Sequence, residues 1–373
     1  MTGRERFLRT LNFGSPDRVS NHELGIWGQT HERWLKEGLP SEAHLADFFR
    51  GEGFFELDKR GFVDVKVHMI PGFEEEVISE DERIIVYRDG QGILRRALKE
   101  GVAGGTRSSM DQYIDFPVKD MSDFEEMKKR YDASTSGRYP EDWGMRIQKW
   151  RQRDYPLCLL TNGTFGFYSM LRRWMGTENL SLAFYDQPGL LHDAMGFLAD
   201  FFIGVTERAV SEVDIDYFNF FEDMSYKSGP LISPQHFREF MLPRYKRVID
   251  HLNRHGIENI WVDSDGNTEE LLPLFIEAGV TCHWPLEQAA DMDPLRIRKE
   301  YGASLALSGG VDKRELAKDR KAIEKEIEKM VAVIERGGYI PTVDHTVPPD
   351  VSYDNFLYYM ELKRKALCGE YGA

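Results

Sequence analysis

The chain has 373 residues, of which 41% are hydrophobic, enough for one large core or two average ones. A net charge of −15 argues against a phosphate backbone, and so against a nucleic acid, as partner. Three cysteines (Cys158, Cys282 and Cys368) form no C-x-x-C pair, and the odd number argues against a disulfide framework and suits a reducing cytosol. No apolar leader follows Met1, and no window approaches the ~18 uninterrupted apolar residues of a membrane span.

Thr2 opens the first helix, with Glu5 three residues on as a capping box and Phe7, Leu8 and Leu11 as its apolar face. Gly14-Ser15-Pro16-Asp17 ends it. Residues 29–36 read as a helix stopped by Gly38, and Ser41 as the cap of a short helix ending near Arg50. Alternation over 62–67 predicts a strand, and 84–98, turning at Arg88-Asp89-Gly90-Gln91-Gly92, predicts a β-hairpin. A charged helix is expected over 122–131. Trp27, Trp34, Phe54 and Phe55 look more like core than a binding stripe.

From residue 155 short apolar runs alternate with longer amphipathic stretches. The runs are 156–161, 216–221, 257–262, 280–284, 304–308 and 338–343. The helical stretches are 189–211, 234–255, 268–278, 294–300, 320–336 and 353–367. This rhythm implies a parallel sheet. No G-x-G-x-x-G or P-loop follows a strand, which disfavours an open nucleotide-binding sheet. The fold class is therefore read as α/β, a (β/α)8 TIM barrel with an N-terminal helical and β-hairpin extension. It is expected to be a single domain over 1–373, with the extension in about 1–150 and the main barrel strands in about 151–373.

Barrel enzymes draw their chemistry from the C-terminal ends of the strands. Asn162, Gly163, Thr164, Phe165 and Gly166 follow the first run. Glu222-Asp223 follow the second and Asp263-Ser264-Asp265-Gly266-Asn267 the third. Glu287 follows the fourth, Asp312 the fifth and Asp344-His345 the sixth. All but the first end carry an acid, so this face is the candidate active site. Asp263 and Asp265, two apart, share a side of an extended segment. With His345 they are a candidate ligand set for a divalent metal, zinc or manganese. The competing reading is that Asp265 or Asn267 caps the next helix. Glu222, Asp223, Asp263 and His345 are the candidate acid/base groups. For Glu222-Asp223 the plainer reading is an ion pair with a neighbouring helix. Trp27, Asn162, Phe165, Tyr226, Lys227, Glu287 and Asp312 are candidate substrate contacts. His251 and His255 stand at i, i+4 on a helix without the glutamate of a zincin motif, and His283 points either into the mouth or outward.

The opening Met-Thr-Gly-Arg-Glu-Arg-Phe-Leu, Pro16-Asp17-Arg18-Val19, the run from Ser228 through Pro234 to Phe237 and Leu242-Pro243, the turn at Asp263–Asn267, and Gly337-Gly338-Tyr339-Ile340 through Val351 resemble the uroporphyrinogen decarboxylase superfamily over nearly the whole chain. The resemblance implies a (β/α)8 barrel with a deep pocket at the strand C-termini. Decarboxylases of that superfamily carry an arginine-rich R-Q-A-G-R-Y motif, where this chain reads Glu23-Leu24-Gly25-Ile26-Trp27-Gly28. Without those arginines, bidentate recognition of carboxylates is lost. The other branch, the corrinoid-dependent methyltransferases, holds zinc by H-x-C and a later cysteine; their places fall on Asp263, Asp265 and His345. The resemblance thus implies a cytoplasmic, metal-dependent methyltransferase moving a methyl group between a small methoxy or methylamine substrate and a corrinoid on a partner protein. The alternatives are a decarboxylase of uroporphyrinogen or another carboxylic acid, and a non-catalytic corrinoid- or tetrapyrrole-binding protein.

Overall fold

The computed structural model describes every residue except Glu52, Gly104, Gly105, Ser108, Asn162 and Ala373, and only the backbone of Thr106. Seven strands form one parallel sheet: β1 (Gly61–Val63), β2 (Leu157–Leu159), β3 (Tyr217–Phe221), β4 (Asn259–Asp263), β5 (Cys282–Trp284), β6 (Ala306–Ser308) and β7 (Tyr339–Ile340). Each strand pairs with the next along the chain, so the sheet winds one way without the reversal of a doubly wound fold. The register runs Gly61 to Leu157, Asn259 to Tyr217 and Asp263 to Phe221. Beyond the two ends, residues 20–26 hydrogen-bond on both sides. Asp58 N donates to Asn21 O at 2.7 Å, and Val347 N donates to Gly25 O at 2.9 Å.

Strand parity sorts the side chains onto two faces. Tyr217, Trp261, Cys282, Trp284, Ala306 and Ile340 pack inside the curled sheet, with Phe7 and Leu11 of the first helix, Gly3–Leu11, set against them. Phe218, Phe220, Ile260, Val262 and Leu307 face outward into a larger core beneath the helices. Asp263, in step with Trp261, therefore lies on the inner face at the open end.

Local chemistry explains most boundaries. The Thr2–Glu5 capping box forms as expected, with Glu5 N donating to Thr2 Oγ1 at 3.2 Å. Ser41 is not a cap. Residues 40–43 form a turn closed by Ala43 N to Pro40 O at 3.0 Å, and the helix Leu45–Arg50 begins after His44 with Asp47 as its reciprocal partner. Of the expected 62–67 strand, only Phe62 and Val63 pair in the sheet, as part of β1. Lys66 N turns away to Arg138 O at 2.9 Å. The hairpin Ile84–Arg88 and Leu94–Leu98 is joined by Glu76–Glu80 and Gln112–Asp115 into a four-stranded antiparallel sheet. The charged helix is Met121–Lys128. The expected helix over 234–255 runs without a gap from Pro234 to Arg254, with a π-turn at Phe237–Met241 inside it. It continues as Leu242–Arg254 with Pro243, which has no N–H to donate, in its first turn. Trp34 and Phe55 are core, whereas Phe54 is exposed.

The helix Pro188–Glu212 is long and apolar enough to cross a membrane, but 56% of its most apolar window is buried in the fold. It packs against the helices Thr177–Asp186 and Leu242–Arg254.

Candidate active site

The loop after β4 turns at Gly266. Gly266 has φ +77°, and a side chain there would lie 2.8 Å from Ser225 O, so the turn accepts only glycine without distortion. Its N–H donates to Glu287 Oε2 at 2.9 Å. Asn267 Oδ1 accepts from Glu269 N at 3.1 Å, so Asn267 caps the following turn and leaves Asp265 for other work. Asp265 Oδ2 lies 3.4 Å from His345 Nε2, and the His345 ring stacks on Trp27 at 6.0 Å. Both partners of this dyad are partly open to solvent. Burial pulls the His345 pKa down, but the hydrogen bond and charge of Asp265 outweigh it, and the net shift is upward.

A second cluster flanks the dyad. Lys313 Nζ reaches Glu287 Oε1 at 3.0 Å and Asp344 Oδ1 at 3.7 Å. Asp344 is fully buried, and its carboxylate accepts from Gln288 N at 3.0 Å and Lys313 N at 3.1 Å. Burial nevertheless pushes its pKa up to about 6, against the pull of Lys313. The sequence places Asp344 among the strand-end acids but gives it no role of its own. Its adjacency to His345 was visible, but its contact with the loop after β6 was not.

The other candidates are more dispersed. Glu222 is buried, with Phe167 N at 2.9 Å, Tyr168 N at 2.8 Å and Tyr245 OH at 2.6 Å donating to its carboxylate. It closes the N-terminus of the helix Phe167–Met175, a contact the ion-pair reading did not foresee. Burial raises its pKa to about 7, with these donors resisting. Asp223 pairs with Arg172. The Asp312 carboxylate caps the short helix Lys313–Leu316 and holds Arg314 at 2.7 Å. Phe165 packs in the outer core against Phe202 and Phe167 and not in the mouth. Tyr226 and Lys227 are exposed on a small antiparallel turn. His283 points outward, with Nε2 2.8 Å from Thr268 Oγ1 and its ring on Phe275. Asn162 lies outside the described residues.

For a metal, only part of the expected set converges. Asp265 and His345 meet, but among the described residues no three ligating atoms at the mouth come within 4.8 Å of one another. Asp263 joins no such cluster, and its backbone carbonyl accepts from Glu222 N at 2.8 Å. The donors present thus do not fit a three-ligand cation site at this turn.

A cavity of about 510 Å³ lies beside the mouth rather than over the dyad. His68, Gln91, Tyr131, Thr164, Arg173 and Trp174 contribute to its wall, under the antiparallel sheet. Arg173 donates to Gly163 O at 3.0 Å and lies over the Phe221 ring. Arg173 was not singled out from the sequence, because helix surfaces are rich in arginine and only the fold turns this one inward.

Where the arginine-rich motif of the resembling decarboxylases would fall, the chain instead buries an acid. Glu23 accepts from Lys363 Nζ at 2.6 Å, Tyr359 OH at 2.8 Å and Val343 N at 2.9 Å. Nearby Arg60 is used up on the carbonyls of Phe49 and Glu23.

Comparison with curated proteins finds no match. Among solved structures the fold is similar to that of a methyltransferase from Methanosarcina mazei, with a TM-score of 0.63 and 16% identity over 100% of both chains. A family model, described as uroporphyrinogen decarboxylase (URO-D), matches residues 108–366, from the antiparallel sheet to the last helix. The chain belongs to the uroporphyrinogen decarboxylase (URO-D) family.

Proposed function

We propose that this chain is a cytoplasmic, single-domain enzyme of the URO-D family that transfers a methyl group from a small methoxy or methylamine substrate to a corrinoid on a partner protein. Residues 20–26, bonded to both Asp58 and Val347, would stand as the eighth strand and close the barrel. The observation that carries the reading is the Asp265–His345 dyad under Trp27 at the strand C-termini.

The corrinoid supplies the nucleophile that accepts the methyl group. When the C–O or C–N bond breaks, its electron pair stays on the heteroatom, and that atom needs a proton. His345, held by Asp265 at Nε2, donates it from its other ring nitrogen, Nδ1, giving the free hydroxyl or amine, and recovers a proton from solvent. Asp265 favours the charged imidazole between turnovers. Trp27 walls the site, while Lys313, Glu287 and Asp344 fix the loops and Glu287 presents an oxygen to substrate. Glu222 holds the helix behind β3 in place, and Asp263 supports the turn that carries Asp265. No step runs through a metal at the mouth, because the ligands do not converge there. The likeness to a methyltransferase supports this reading at the level of fold.

Decarboxylation of a small acid is the second reading, favoured by Arg173 in the cavity wall. Uroporphyrinogen itself fits poorly, since a buried carboxylate occupies the place of the expected arginine clamp.

The test is anaerobic incubation with cob(I)alamin and a panel of methoxy and methylated-amine substrates, following methylcobalamin by absorbance. Methyl transfer should occur and fall roughly 10²-fold or more in His345→Ala. Release of CO2 from an acid substrate with no methyl transfer would replace the reading with decarboxylation. Tight corrinoid binding with neither reaction would make the chain a binding protein.

A further inference from the structure

Two outer helices carry a cluster that the chemistry at the mouth does not use. Glu207 lies near the end of the helix Pro188–Glu212, which runs into β3, and His251 lies near the end of Leu242–Arg254, which runs into β4. These ends lie at the N-terminal face of the sheet, opposite the mouth. The two helices pack on each other. The i, i+4 spacing puts His251 and His255 on one side of their helix, with ring centroids 4.9 Å apart.

Both imidazoles face the same carboxylate. His251 Nε2 lies 3.8 Å from Glu207 Oε2, and His255 Nε2 lies 3.9 Å from Glu207 Oε1. All three ligating atoms fall within 4.8 Å of one another. The His251 side chain is only 4% exposed, and its Nε2 is buried with no hydrogen-bond partner. Buried polar atoms are nearly always paired, so this nitrogen, aimed at the cluster, calls for a ligand. Glu207 Oε1 also accepts from Ser211 Oγ at 3.3 Å, which leaves a lone pair free.

We propose that Glu207, His251 and His255 bind a divalent transition metal of the zinc class, with water in the fourth position. Two imidazoles and a carboxylate are a borderline donor set that zinc favours. Tetrahedral zinc brings its ligand atoms to about 3.3 Å from one another, so the cluster must contract slightly. The Glu207 side chain is exposed and free to make that movement. Catalytic groups of such barrels lie at the opposite face, so this ion clamps two helices and stabilises the fold.

The test uses protein carrying His345→Ala, so that the mouth offers no imidazole. It is stripped with chelator and dialysed against zinc alone; its metal content and thermal midpoint are then recorded. About one zinc per chain and a midpoint that rises with zinc are expected. Adding Glu207→Gln and His255→Ala, at positions outside the core, should abolish both while leaving the zinc-free midpoint near its starting value. Unchanged zinc content in that triple variant overturns the proposal, as does no uptake by His345→Ala. Methyl transfer is not read in this experiment, so its failure and a failure of the functional reading stay distinct.

Discussion

Two carboxylates raise the pKa of His345. Burial alone would lower its pKa, and only Asp265 and, more weakly, Glu287 reverse that. A His raised in the folded state adds stability that is fully present below its unfolded pKa of about 6.5 and is lost as pH rises through the folded value. Replacing Asp265 by Asn removes the charge but keeps the shape. The alkaline limb of kcat/KM should then move to lower pH, and the His345 ring resonance should titrate lower by NMR. An unshifted limb would mean that His345 is not the proton donor. Asp344 runs the other way. As an acid raised to about 6, it binds its proton in the folded state over a range where the unfolded chain has released it. It therefore costs stability as pH rises from about 4 through about 6. Asp344→Asn should flatten the pH dependence of the unfolding midpoint across that window.

At the scale of elements, the first turn of the helix Phe167–Met175 depends on a residue far along the chain. Glu222 accepts from three of its first amides, counting Ser169 N at 3.4 Å. Gly166 at the cap has no side chain to do this. Glu222→Gln keeps the volume but turns an amide donor toward those N–H groups, and should cost about 1–3 kcal/mol in urea unfolding. A neutral result would show that the carboxylate is not what holds the helix. Gly266→Ala should cost more than about 1 kcal/mol, because its φ is left-handed and Ser225 O is too close. Activity should fall with it, since that turn aims Asp265. The sequence showed the alternation of strands and helices, and it showed that the acids gather at strand ends, because both follow from local periodicity. It did not show which acids meet. Asp265 reaches His345 across many intervening residues, Asp312 turns back on its own helix, and Phe165 faces outward by strand and loop geometry that no local pattern encodes. Ser41 failed as a cap for a similar reason, since a turn that spends residues 40–43 moves the helix start downstream.

The whole molecule is tied together by an ion pair between its two ends. Glu23, in the extended segment beside β1, and Lys363, in the last helix, Tyr353–Leu367, are 1% and 0% exposed in their side chains and meet at 2.6 Å. Tyr359 OH and Val343 N complete the carboxylate, and His22 O takes a further bond from the ammonium. Burial lowers the Lys363 pKa, and Glu23 opposes that. Such a pair adds little over an apolar one, but leaving one charge alone inside the protein is expensive. Lys363→Met should therefore cost about 3–5 kcal/mol in urea unfolding. Pairing it with Glu23→Gln should restore much of that loss, because the stranded carboxylate is gone. The coupling energy of the double-mutant cycle then measures how strongly the C-terminal helix holds the segment at residues 20–26 against the sheet. If the two losses simply add, the ends fold independently, and the segment is not part of one closed cylinder with the seven strands. If they couple, the same lock fixes Trp27, four residues from Glu23, against His345, and the dyad should lose activity in Lys363→Met before the protein unfolds.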